Sequence, residues 1–193
     1  MFSSTSMKIL TWNVRGINAS DKRHRVKQQL DSSSADIILL QETKLSVDTY
    51  NKTVSNWSSW NSVHSPGTGA SGGLTTLWNP KTITGHFIKH ENNWQLLHFM
   101  HFDLSFQIIN IYGPSSTQEK RVLWEQVSQI IQEHAEENFI LAGDFNAIVN
   151  LEEKKGGICP PPRTIVDLQN FISDNQLIDI IPSQGKFTWT NHR

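Results

Sequence analysis

Cysteine is all but missing from this chain of 193 residues. The single copy, Cys159, closes no internal disulfide and holds no zinc by itself. A reducing intracellular setting, nucleus or cytoplasm rather than secretion, is the expectation. Neither sign of charge is in excess: 17 Lys and Arg against 18 Asp and Glu leave a net charge of −1. Nucleic acid held by bulk charge alone is thereby excluded, so any phosphate partner must be met at a local site. Long apolar runs are missing as well. The best, such as Ile37-Ile38-Leu39-Leu40, is far too short for a bilayer. The start, Met1-Phe2-Ser3-Ser4-Thr5-Ser6, lacks the basic and apolar regions of a signal peptide. There are no internal repeats and no long low-complexity tract. What is present is 37% hydrophobic residues at a mean hydropathy of −0.41, enough to fold one domain. Residues 1–6 read as an unstructured leader and 7–193 as the domain.

Lys8 to Trp12 reads as a buried strand broken at Gly16. Ser20 is placed to cap a helix over 21–31, with Val26 and Leu30 on one face. Asp36 to Gln41 encloses a continuous apolar run, the pattern of a central strand covered on both faces. Leu74 to Trp78, Ile83 to Ile88, Trp94 to Phe102 and Phe106 to Tyr112 are short β runs between Gly, Pro and Asn breaks. Ser116-Thr117-Gln118-Glu119 opens a long helix as a capping box, striped by Val122, Leu123, Val127, Ile130 and Ile131. Phe139 to Ala142 is a further strand, Thr164 to Asn175 a further capped helix, and Phe187 to Thr190 a last strand. Consecutive strands in the middle favour a layered α/β sandwich over a purely alternating doubly wound sheet.

Polar residues gather where the apolar strands stop. Asn13 follows the first strand, Glu42 the second, Tyr112 ends the run at Ile111, and Asp144 and Asn146 follow Phe139 to Gly143. Ligands of open α/β sheets collect at the carboxyl ends of strands, so five such ends together outweigh any one. Singly, each has a plainer reading. Glu42 reads as a turn cap or as a carboxylate for hard Mg²⁺. Asp144 and Asn146, two apart and on one side of an extended segment, read as an Asx turn or as a water-orienting acid beside a phosphate donor. Asn13 reads as a turn former, and Tyr112 as a rim aromatic or as a hydroxyl in reach of a phosphate. Lys22, Arg23, Arg25 and Lys27 make a basic cluster, either a solvated helix face or a contact to a nucleic-acid backbone. The eight histidines show no metal-site spacing, and Gly72-Gly73 is not followed by the Gly-Lys-Ser/Thr of a phosphate loop.

Taken in order, Thr11-Trp12-Asn13-Val14-Arg15-Gly16, Leu40-Gln41-Glu42-Thr43, Asn110-Ile111-Tyr112-Gly113-Pro114, Gly143-Asp144-Phe145-Asn146 and Phe187-Thr188-Trp189 resemble the endonuclease/exonuclease/phosphatase superfamily. Within it the chain is most similar to the apurinic-type endonuclease domain of LINE non-LTR retrotransposons, plant elements especially. Trp-Asn-Val-Arg-Gly, the Lys-Arg-His-Arg segment and Leu177-Ile178-Asp179-Ile180 carry that closer likeness. The resemblance implies a DNase I-like four-layer α/β sandwich, two mixed β-sheets face to face with helices outside. It implies cleavage of a DNA phosphodiester with Mg²⁺ or Mn²⁺, nicking a strand to leave a 3′-hydroxyl. Glu42 would hold the metal with Asn13 nearby, Tyr112 and Asn146 would contact the phosphate, and Asp144 would align the water. Thr188, Arg15, Arg23 and Arg25 would face DNA.

The family pattern continues to a further acidic motif and a terminal Ser-Asp-His, whereas this sequence stops at Asn191-His192-Arg193. The expectation is a fold incomplete at its C-terminus, with an uncovered sheet edge open to self-association and little or no activity. A non-catalytic remnant that binds DNA or a partner, and a phosphodiesterase with another substrate, are the competing expectations.

Overall fold

A computed structural model describes residues 6–67, 72–185 and 187–188. They form two compact units: Met1–Tyr112 with Glu136–Asp144, and Gly113–Ala135 with Phe145–Arg193, each over its described part. The predicted leader therefore lies, but for Ser6, outside the described residues, as do Trp189 and Thr190.

The first unit holds strands β1 (Ile9–Asn13), β2 (Ile37–Gln41), β3 (Asn61–Ser65), β4 (Leu74–Trp78), β5 (Thr84–Glu91), β6 (Trp94–His101), β7 (Leu104–Tyr112) and β8 (Phe139–Asp144), with helices α1 (Ser20–Ser32) and α2 (Val47–Lys52). They build two mixed sheets, ordered β1-β2-β4-β3 and β5-β6-β7-β8. β1 runs parallel to β2 and β7 parallel to β8, and the remaining pairs are antiparallel.

The reason for β2 is in its five residues, Ile-Ile-Leu-Leu-Gln, all buried. Successive side chains point to opposite faces. Ile38 and Leu40 meet Val26 and Leu30 of α1, together with Leu77. Ile37 and Leu39 meet Leu97, Phe99, Phe106 and Ile108 of the other sheet. A strand covered on both sides must be apolar on both, and each such side chain contributes about 1.5–3 kcal/mol by leaving water. The α/β architecture of two mixed sheets with a helix layer is as the sequence indicates.

At four points the structure corrects or adds to the local expectations. Helix α1 takes Ala19, not Ser20, as its N-cap, and no side chain caps it. The entry loop is instead fixed by Arg23, whose guanidinium donates to Ile17 O and Asn18 O. Strand β3, Asn-Ser-Val-His-Ser, has too few apolar residues to show a strand period; its pairing with β4, Val63 opposite Thr76, makes it one. Helix α2 is short and buries no residue, held by the Ser46 hydroxyl accepting from Thr49 N. Phe187 and Thr188, the described part of the expected last strand, are exposed and belong to no strand.

The second unit contains α3 (Thr117–Glu133) and α4 (Pro162–Asp174). The capping box holds: the Ser116 hydroxyl accepts from Glu119 N. Helix α4 starts two residues before the expected Thr164 cap, on Pro162 at its first turn, where a missing N–H costs nothing. Trp124 of α3 stacks on Phe171 of α4 at 4.9 Å between ring centroids, and the Arg121 guanidinium grips Asp167 at 2.7 Å.

Candidate active site

Four of the predicted side chains come together in the first unit. Asn13 closes β1 opposite Gln41, Glu42 follows β2, and Tyr112 closes β7 opposite Asp144, the last residue of β8. Because β1 with β2 and β7 with β8 are parallel pairs, all four carboxyl ends lie at one end of their sheets. The Asn13 amide then bridges the sheets, donating to Asp144 Oδ2 at 2.7 Å. Its orientation is fixed from behind: Arg15 N donates to Asn13 Oδ1 at 3.0 Å, so the NH₂ must face forward.

Backbone of unusual shape sets these ends. Gly143 has φ +147°, and a Cβ there would stand 2.0 Å from Ile111 O. Only glycine lets β8 lie this close to β7, which places Asp144 beside Tyr112. Arg15, Glu42 and Lys44 are left-handed at φ +48°, +53° and +56°. Such residues cost about 1–2 kcal/mol each and persist where the surroundings fix them. Here Gly16 N donates to Glu42 O and Ile17 N to Thr43 O, sewing the two site loops together.

The charges are coupled. Partial burial pushes the Glu42 carboxyl up, but hydrogen bonds from Lys44, Asn13 and Tyr112, with the Lys44 charge, hold it below the usual carboxylate range. Lys44 Nζ stands 2.9 Å from Glu42 Oε1. The Tyr112 phenol is pushed up to about 12, by burial first and then by the Glu42 and Asp144 carboxylates. At neutral pH Glu42 is therefore an anion and Tyr112 a neutral hydrogen-bond donor.

The donor set suits a hard cation. Mg²⁺ asks for one or two carboxylates and keeps its own waters. Glu42 and Asp144 are both tied to Asn13, and Glu42 already draws a cation in Lys44. Among the described residues no group of three or more His, Cys, Asp or Glu gathers as a protein-only cage.

Asn146 belongs to the second unit, where its amide donates to Gly113 O at 2.7 Å. Thr188, in the same unit, is exposed. Arg25 is exposed on α1, while Arg23 braces the loop after Asn13, and Lys22 Nζ helps by donating to Arg15 O at 3.1 Å. Sequence reasoning missed Lys44 and Asn93. The one sign Lys44 gave was its place as the first basic residue after Glu42. Asn93 gave no signal: in the β5–β6 turn it holds the Tyr112 backbone twice, Nδ2 to Tyr112 O at 2.7 Å and Asn93 O from Tyr112 N at 2.8 Å.

The model of the Endonuclease/Exonuclease/phosphatase family matches residues 10–191. DNA-(apurinic or apyrimidinic site) endonuclease 2 of Xenopus laevis is 55% identical over 42 residues, 22% of this chain and only 8% of that protein. The 3′ phosphatase NExo from Neisseria, solved with a product DNA hairpin, superimposes with TM-score 0.65 at 18% identity, covering 87% of this chain and 71% of that one. The endonuclease domain of TRAS1, a telomere-specific non-LTR retrotransposon, gives 0.64 at 13% identity, covering 88% and 72%. At such identities the superpositions speak for the fold. No helix among the described residues is long and apolar enough to cross a membrane.

Proposed function

Since the chain belongs to the Endonuclease/Exonuclease/phosphatase family, we propose that it hydrolyses a phosphodiester bond of DNA by nicking one strand, as a retroelement endonuclease does. The observation that carries the reading is the Asn13 bridge to Asp144 at 2.7 Å, with Glu42 and Tyr112 in hydrogen-bond contact beside it. Two acids of separate duty meet a neutral donor at one point, which is what phosphoryl transfer to water requires. The likeness to the retrotransposon endonuclease and to the DNA-bound phosphatase supports DNA as substrate.

Asp144, oriented by Asn13, takes a proton from the attacking water as its oxygen bonds to phosphorus. The bond from phosphorus to O3′ breaks opposite; the departing O3′ takes a proton from solvent and Asp144 later gives its own back to solvent, leaving a 3′-hydroxyl and a 5′-phosphate. Tyr112 keeps its proton and donates to a phosphoryl oxygen as charge builds there. Glu42, with Asn13 near it, would hold Mg²⁺ or Mn²⁺, which supplies neutralisation of phosphate charge. The sequence resemblance adds Asn146 as a phosphate donor.

Supercoiled plasmid incubated with the protein and Mg²⁺ tests this. Nicked circles should form, and should disappear with chelator, with Glu42→Gln and with Asp144→Asn. DNA binding at low salt without any nicking, in Mg²⁺ or Mn²⁺, would replace hydrolysis by a binding role.

A further inference from the structure

Just inside the site, the two sheets of the first unit are joined by a chain of uncharged polar side chains. Gln41, Asn110, Thr76, Gln95 and Ser65 are each at most 1% exposed. Gln41 Nε2 donates to Asn110 Oδ1 across the sheets at 2.8 Å, and to Thr11 Oγ1 and Leu39 O at 3.0 Å. Asn110 Nδ2 returns to the first sheet, donating to Thr76 Oγ1 at 3.1 Å. The Thr76 hydroxyl donates to Gln95 Oε1 at 2.8 Å. Gln95 Nε2 donates to Ser65 Oγ at 2.8 Å and to Leu74 O at 3.2 Å.

The position of this chain is telling. Gln41 pairs with Asn13 in register and immediately precedes Glu42. Asn110 is two residues before Tyr112 on one face of β7, and Gln95 is its partner on β6. For folding alone, apolar side chains of like volume would serve as well or better. What a connected amide chain adds is direction: each bond has a length and an angle, and a shift between the sheets breaks several at once in a low-dielectric interior.

We propose that Gln41, Asn110 and Gln95 are positioning residues of the site, the Gln41–Asn110 bond setting the approach of the sheets at which Tyr112 reaches Glu42 and Asn13 reaches Asp144. The inference rests on the proposed hydrolysis only for its kinetic arm.

The test uses the two tyrosines of the chain, Tyr50 and Tyr112. In a Tyr50→Phe background labelled with ¹³C at the tyrosine ζ-carbon, one NMR signal reports the Tyr112 hydroxyl bond to Glu42. Glu42→Gln displaces it and sets the scale. The double variant Gln41→Met/Asn110→Leu, which leaves neither half of that pair orphaned, should move the signal by at least half as much. In the nicking assay kcat should fall at least tenfold with KM within twofold. A folded double variant with the parent signal and parent kcat overturns the proposal. Should that variant not fold, Thr76→Val removes one hydroxyl of the chain at nearly constant shape, and an unmoved signal there overturns it equally. If the signal moves but the parent itself never nicks DNA, positioning stands and the hydrolytic reading fails.

Discussion

At one end of the contact between the sheets, Phe99 lies on Phe106 with ring centroids 5.9 Å apart and meets Trp78 edge-on at 5.7 Å, among Ile37, Leu39, Leu97 and Ile108. At the other end Gln41, Asn110, Thr76 and Gln95 fill the same gap with amides and hydroxyls. The same strands supply both ends. Apolar contact is roughly proportional to area and indifferent to direction, so it holds the sheets together without fixing their last ångström. Hydrogen bonds are worth only about 0.5–1.5 kcal/mol each in net stability, yet a buried group left unpaired costs about 1–3. The apolar end supplies stability, and the polar end supplies position where Asn13, Glu42, Tyr112 and Asp144 need it.

That contrast can be broken from either end. The largest effect should come at the site itself: Asp144→Asn is expected to lower kcat for plasmid nicking by about 10²–10⁴-fold, the range for a positioned proton acceptor, with the urea unfolding midpoint nearly unchanged. Phe99→Ala should do the reverse. Unfolding in urea should show a loss of about 3–5 kcal/mol, while the folded fraction keeps its kcat. A Phe99→Ala protein that stays stable but cannot nick would end the division of labour. Asn13→Ala removes the amide between Asp144 and Glu42 and should slow nicking by about tenfold, roughly 1.4 kcal/mol of barrier, with little change in KM.

Titration sharpens the comparison further, because its groups lie at the polar end. Glu42 is held below its ordinary 4.5, so it contributes stability above that pH which is lost as pH falls through its lowered value. Tyr112 is raised from 10 to about 12, so its contribution is complete below pH 10 and is lost as pH rises towards 12. Urea midpoints taken across both ranges should show these losses, and Glu42→Gln should flatten the acid one and lower the alkaline onset of Tyr112 absorbance. The smallest effect should be that of Arg23→Ala: about 1 kcal/mol of stability through the loop it braces, with DNA affinity nearly unaltered. A large loss of affinity instead would make Arg23 a DNA contact.

Legibility followed the source of each structure. β2 and the α1 face could be read because local pattern and burial agree, as Ile37 to Leu40 and Val26 with Leu30 show. Strand β3 could not, since its polar residues become a strand only through β4. The same divide runs through the site. Asn13, Glu42, Tyr112 and Asp144 stood out because each ends an apolar run. Lys44 and Asn93 did not: the one acts through a turn at φ +56°, and the other through the backbone of a distant strand.

The chain alone determined which segments are apolar, where each stops and which polar residue stands at the stop, for these are properties of neighbours in sequence. Only tertiary structure decided that Asn13 and Asp144, 131 residues apart, share a hydrogen bond, and that Gln41 finds Asn110 rather than water. Pairing of that kind depends on how two twisted sheets come to lie, and no local stretch of sequence carries that angle.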